Sequence, residues 1–106
     1  MLRVDEAFSA RGAYGLVTQI RRAAGSVPAN IAEGYGRIGR RDYIRYVGYA
    51  RASLFELDTH FEISLREKYV TPAQAAEVRD NVEALSAMLT RLRLRLADSS
   101  GTPLDP

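Results

Sequence analysis

Glu33 to Arg41 reads Glu-Gly-Tyr-Gly-Arg-Ile-Gly-Arg-Arg, and Gly34, Gly36 and Gly39 stand in the spacing G-x-G-x-x-G. In a dinucleotide-binding turn such glycines let backbone N–H groups close on a pyrophosphate. That chemistry needs a strand before the loop, a helix after it and an acidic residue about 20 positions on. Here a helical pattern precedes the loop and no segment alternates with a period of two, so the dinucleotide reading has no strand to stand on. The glycines instead suit helix ends. Gly34 is predicted as the left-handed C-cap of one helix and Gly39 as the N-cap of the next, with Asp42 three positions on favouring the helix dipole.

The arginines beside those glycines carry the chemistry that remains. Arg37, Arg40, Arg41 and Arg45 fall in the loop and the first turns after it, and the N–H groups of the Asp42 helix open in the same direction. From Arg11 to Arg51 eight arginines face only Glu33 and Asp42, a local charge of +6 in a chain whose net charge is +2. Guanidinium groups bind phosphate and carboxylate in bidentate fashion. Tyr35, Tyr46 and Tyr49 could stack on bases beside them, whereas Tyr43 lies on an apolar seam. These four arginines are therefore the candidate nucleic-acid contacts, the plainer reading being a solvated bundle end.

A second polar set is Gln19, Arg22, Ser26, Asn30 and Glu33, one stripe along a helix, with Arg21 beside it. It reads either as a solvated face or as a subunit interface built on Gln19, Arg21, Arg22, Asn30 and Glu33, where an arginine meets an acid such as Glu33 of a neighbour. Catalytic and metal chemistry find no support. There is no cysteine and one histidine, His60, whose E-x-x-x-H spacing from Glu56 differs from the E-x-x-H of di-iron bundles and is expected to face solvent. Ser26, Ser53 and Ser64 have no histidine–acid partners nearby in sequence. The expectation is a non-enzyme without metal or cofactor.

These residues are carried by helices. Val17, Ile20, Ala24, Val27 and Ile31 step by 3 and 4, through Pro28, predicting one kinked helix over about 16–33, preceded by a break at Arg11-Gly12. Tyr43, Val47, Ala50, Leu54, Leu57 and Phe61 form the seam of a second, ending near 67–69, with Gly48 and Ala52 small enough to admit a neighbouring backbone. Thr71-Pro72-Ala73-Gln74 is a capping box with proline at the first helical position, and Val78, Val82, Leu85, Leu89, Leu92 and Leu96 follow at helical steps. The domain is expected to span 1–98, followed by a disordered polar tail over 99–106. No membrane span or signal peptide is visible, so the expected compartment is the cytoplasm. Three amphipathic helices want a fourth, and Met1 to Phe8 supplies two turns. Either another subunit covers the groove or residues upstream of Met1 do.

YGLVTQIRRAAGSVPANIAEGYGR (Tyr14 to Arg37) and DYIRYVGYARASLFELDTHFEIS (Asp42 to Ser64) resemble the helical proteins encoded within bacterial 23S rRNA intervening sequences, which are similar in turn to the accessory variability proteins of diversity-generating retroelements. The likeness runs over about Ala13 to Ala97. It implies an all-α, up-down antiparallel bundle of the four-helix type, here with a shortened first helix, commonly assembled as a pentameric ring, and it does not imply an enzymatic activity. The retroelement relatives work with a reverse transcriptase and nucleic acid. Gly39 stands where many members carry a serine or threonine cap. The functional expectation is a non-catalytic homo-oligomeric adaptor that binds RNA or DNA through its arginines, with a nucleic-acid-processing protein as a further partner. The alternative is a protein–protein scaffold that binds no nucleic acid.

Overall fold

The computed structural model describes residues 6–98, with side chains from Gly12 onward. Residues 1–5 and the expected polar tail over 99–106 lie outside the described part. Three α-helices follow one another: α1 over Glu6–Tyr35, α2 over Arg40–Arg66 and α3 over Pro72–Ala97. No strand occurs among the described residues.

The chain is all-α because apolar residues recur at helical steps, and the helix ends sit where local chemistry puts them. At the start of α3, Thr71 Oγ1 accepts a hydrogen bond from the Gln74 N–H (3.1 Å), and Gln74 Oε1 accepts one from the Thr71 N–H (2.9 Å). The reciprocal pair satisfies two otherwise orphaned donors. Gly39 is the N-cap of α2 in extended conformation and contributes no side-chain bond. The end of α2 closes with two bonds, Tyr69 N–H to the Ser64 carbonyl (2.9 Å) and Lys68 N–H to the Leu65 carbonyl (3.0 Å). This is a Schellman closure, which needs a left-handed residue, and Lys68 takes that place with φ of 65°.

Three expectations about α1 and α2 are corrected. There is no break at Arg11-Gly12, because α1 is continuous from Glu6 and carries both Gly12 and Pro28 inside it. A Cβ on Gly12 would collide with the Tyr69 hydroxyl, so this glycine makes room for a side chain from the α2–α3 connection. Gly34 is not a left-handed cap. It is a buried helical residue where a Cβ would stand 2.7 Å from Tyr46 Cβ and 3.1 Å from Tyr43 Cδ1, so it lets α1 press onto α2. Gly48 does not admit a backbone either. The Arg93 guanidinium of α3 fills the space over it, 3.6 Å from where a Cβ would be, and Ala52 is exposed.

α2 is the middle helix. α1 and α3 both pack along it, and no Cα of α1 comes within 8 Å of one in α3. The contacts run antiparallel: Gly34 against Tyr46, Ser26 with Ser53, Arg22 with Glu56, and on the other side Arg79 with Asp58 and Arg93 over Gly48. The core is Val47, Ala50 and Leu54 of α2 with Val82 and Leu89 of α3, flanked by Val27, Ile31, Tyr43, Leu57, Val78, Leu92 and Leu96. The result is a slab of 59 × 22 × 14 Å. A slab two helices thick would cover the apolar flanks of α1 and α3, and this one leaves Val17, Leu85 and Met88 exposed.

Candidate nucleic-acid interface

The α1–α2 connection presents the arginines expected from sequence, and the structure shows how each is held. Arg37 forms an ion pair with Glu33 (2.9 Å), donates to the Tyr46 hydroxyl (2.7 Å), and its guanidinium lies 4.9 Å from the Tyr46 ring centroid. Arg45 pairs with Asp42 (2.6 Å) and lies 5.7 Å from the same ring. Tyr46 is thus flanked by two guanidinium groups, each already matched to a carboxylate. Arg41 is exposed and makes no ion pair among the described residues, while Arg40 is half-buried and engaged. Arg41 is therefore presented without an internal counter-charge among the described residues. The tyrosines divide. Tyr43 packs against the core and meets Tyr35 edge-on, Tyr46 meets Tyr49 edge-on, and Tyr35 remains 76 % exposed at the tip of α1.

Sequence reasoning missed the arginines of α3. Because α3 runs antiparallel to α2, Arg91, Arg93 and Arg95 lie abreast of the first turns of α2, with Arg93 against Gly48. The end of the molecule formed by residues 33–51 and 91–98 then holds eight arginines (37, 40, 41, 45, 51, 91, 93, 95) against three carboxylates (Glu33, Asp42, Asp98). The rest of the described side chains hold five cations against seven carboxylates. The positive charge is therefore gathered at one end, where fields of several kT arise. The alternation of arginine and leucine from Arg91 to Leu96 was a visible signal, but nothing local tells which end of the bundle it joins.

The stripe expected as a solvated face or subunit interface borders α2 of the same chain: Ser26 and Asn30 are half-buried, whereas Gln19, Arg22 and Glu33 remain exposed. Arg22 bonds Gln19 (2.8 Å) and forms an ion pair with Glu56. Asn30 donates to Ser26 Oγ (2.9 Å), Ser26 Oγ lies 2.8 Å from Ser53 Oγ, and Ser53 donates to the Tyr49 carbonyl (3.1 Å). The protons therefore run one way, Asn30 to Ser26 to Ser53 to Tyr49. Glu33 turns to Arg37, and Arg21 is exposed without an ion pair among the described residues. His60 does not face solvent. It is 17 % exposed in the α1–α2 seam, with Nε2 at 3.4 Å from Glu56. The Arg22 hydrogen bond, helped by His60 and opposed by partial desolvation, holds the Glu56 carboxyl below the usual range. On the far side of α2, Arg79 bridges Asp58 (3.5 Å) and Glu62 (3.0 Å), and the Asp58 charge raises its affinity for the proton.

Among the described residues no three acidic or imidazole groups gather as a metal site, and no helix is long and apolar enough to cross a membrane. A basic-ended antiparallel helical protein is the class these features define. The sequence matches the 23S rRNA-intervening sequence protein family over residues 1–91, and the chain belongs to that family. No curated protein matches it.

Proposed function

We propose that the chain is a non-catalytic, homo-oligomeric helical-bundle protein that binds RNA or DNA phosphates with its arginine-rich end. The observation that carries this reading is the convergence of Arg91, Arg93 and Arg95 from α3 with Arg37, Arg40, Arg41 and Arg45 at the α1–α2 connection. Arg41 and Arg91, exposed and without ion pairs among the described residues, make direct phosphate contacts. Arg37 and Arg45 hold Tyr46 and offer a displaceable pairing with Glu33 and Asp42. The exposed Tyr35 ring supplies a stacking surface for an unpaired base. Assembly gives the polar-seamed subunits a shared basic surface, on which weak individual contacts multiply.

Fluorescence anisotropy with labelled structured RNA and duplex DNA, over a series of salt concentrations, tests the reading. A linear fall of log K with log salt is expected, since each phosphate contact releases counterions. Absence of binding at low salt removes the nucleic-acid function and leaves an acidic protein as the arginines' partner.

A further inference from the structure

The tip of the α1–α2 connection carries two apolar side chains that stand in the open. Ile38 is fully exposed and Tyr35 largely so, and three residues of chain keep their Cα atoms within about 11 Å of each other. The backbone on both sides is fixed. Gly36 N–H donates to the Ala32 carbonyl (3.0 Å) and Arg37 N–H to the Gly34 carbonyl (3.1 Å), which closes α1. Tyr43 N–H donates to the Gly39 carbonyl (3.2 Å), which opens α2, and Gly39 itself is buried. The side chains beside Ile38 are held as well. Arg37 is tied to Glu33 and to the Tyr46 hydroxyl, and the Tyr35 ring meets Tyr43 edge-on, 5.9 Å between centroids. A scattered exposed isoleucine is ordinary on a protein surface. This one is raised on an anchored support, beside an exposed tyrosine and between arginines.

We propose that Ile38 is a wedge that enters between the bases of a nucleic-acid strand, with Tyr35 stacking on a base beside it and Arg41 on a neighbouring phosphate, so that this end selects unpaired or bulged nucleotides over regular duplex. The wedge presupposes the nucleic-acid reading of the basic end and gives that site its substrate class. Charge selects the occupant. Arg37, Arg40 and Arg41 all lie within three residues of Ile38, and no carboxylate does. Apolar and cationic side chains therefore alternate along the tip, as bases and phosphates alternate along a strand.

Shape agrees with charge. Gly36 and Gly39 flank the isoleucine without side chains that would hold a base away from it. The β-branched side chain is stiff at χ1, so it loses little freedom on insertion. A regular duplex hides its base faces in the stack, and entry there costs unstacking; a bulge, loop or single strand presents those faces already open. A lipid surface also takes cationic and apolar groups together, but through the wide apolar face of a helix, whereas this tip offers two side chains.

The test is fluorescence anisotropy with three labelled RNAs: a perfect duplex, the same duplex with a single-nucleotide bulge, and an unpaired strand. The wild type should bind the bulged and unpaired RNAs about tenfold more tightly than the duplex. Ile38→Ala should weaken binding to the bulged RNA by about fivefold and leave its salt slope unchanged, because no phosphate contact is lost. A 2-aminopurine placed beside the bulge should brighten with the wild type and stay quenched with Ile38→Ala. Arg41→Ala should instead weaken all three complexes, lower the salt slope by about 1 and keep the preference for the bulge. Equal wild-type affinity for the three RNAs, or an Ile38→Ala variant with the wild-type preference, overturns the wedge and leaves phosphate binding at this end standing. A changed assembly mass in Ile38→Ala makes Ile38 a subunit contact and overturns the wedge too. Absence of binding to any of the three at low salt overturns the nucleic-acid function together with the wedge.

Discussion

Lys68 occupies a backbone conformation that glycine adopts without penalty, because the left-handed region brings Cβ against the following carbonyl. The Schellman bonds at Tyr69 and Lys68 hold it there. Lys68→Gly should therefore stabilise the protein by ~0.5–1 kcal/mol in urea denaturation, an increase in midpoint without a change in slope. Glu56 makes a different prediction, in pH. Its folded carboxyl is held below the ordinary value, so its contribution to stability is complete above the unfolded carboxylate pKa of about 4.3 and is lost as pH falls through the folded value. Thermal melts from pH 7 down to 3 should show a shallower acid decline in Glu56→Gln than in the wild type. A decline equally steep in both would assign acid sensitivity to other carboxylates.

Helices pack at the distance their smallest facing residues allow. Along α1–α2 these are Ala23, which is fully buried, Ser26 against Ser53, and Gly34 against Tyr43 and Tyr46. Gly34→Ala places a Cβ 2.7 Å from Tyr46 Cβ and 3.3 Å from the Tyr43 carbonyl, neither of which is the free end of a flexible chain. The expected cost is ~1–3 kcal/mol, in spite of alanine's better helix propensity, and chemical denaturation measures it. A neutral or stabilising result would mean that the helices can separate there at no expense. The seam of α2 and the capping box of α3 could be read from sequence because each is decided by residues within a turn or two of one another. Gly12 and Gly34 could not be placed in that way. What a glycine does inside a helix depends on the side chain that faces it, Tyr69 in one case and Tyr46 in the other.

For the whole molecule the decisive quantity is where the charge collects. A net charge of +2 conceals an end with eight arginines against three carboxylates. If that end binds nucleic acid, Arg91→Ala should weaken binding about as much as Arg41→Ala, although the two lie fifty residues apart in the chain. Each should lower the salt slope by about 1, read from anisotropy titrations at several ionic strengths. An effect of Arg41→Ala with none from Arg91→Ala would confine the surface to the α1–α2 connection.

The sequence alone determined the helical class, the position of the helix ends at Gly39 and Thr71, and the presence of an arginine cluster around the glycine loop. Those features rest on periodicity, capping and local charge, which act over a few residues. Only the tertiary structure decided that α1 runs unbroken through Gly12, that Ser26 and His60 turn into the α1–α2 seam while the exposed Arg22 reaches Glu56 across it, and that the arginines of α3 join the basic end. Each of these depends on which residues meet across helices, and the antiparallel register of α2 sets that for both of its neighbours.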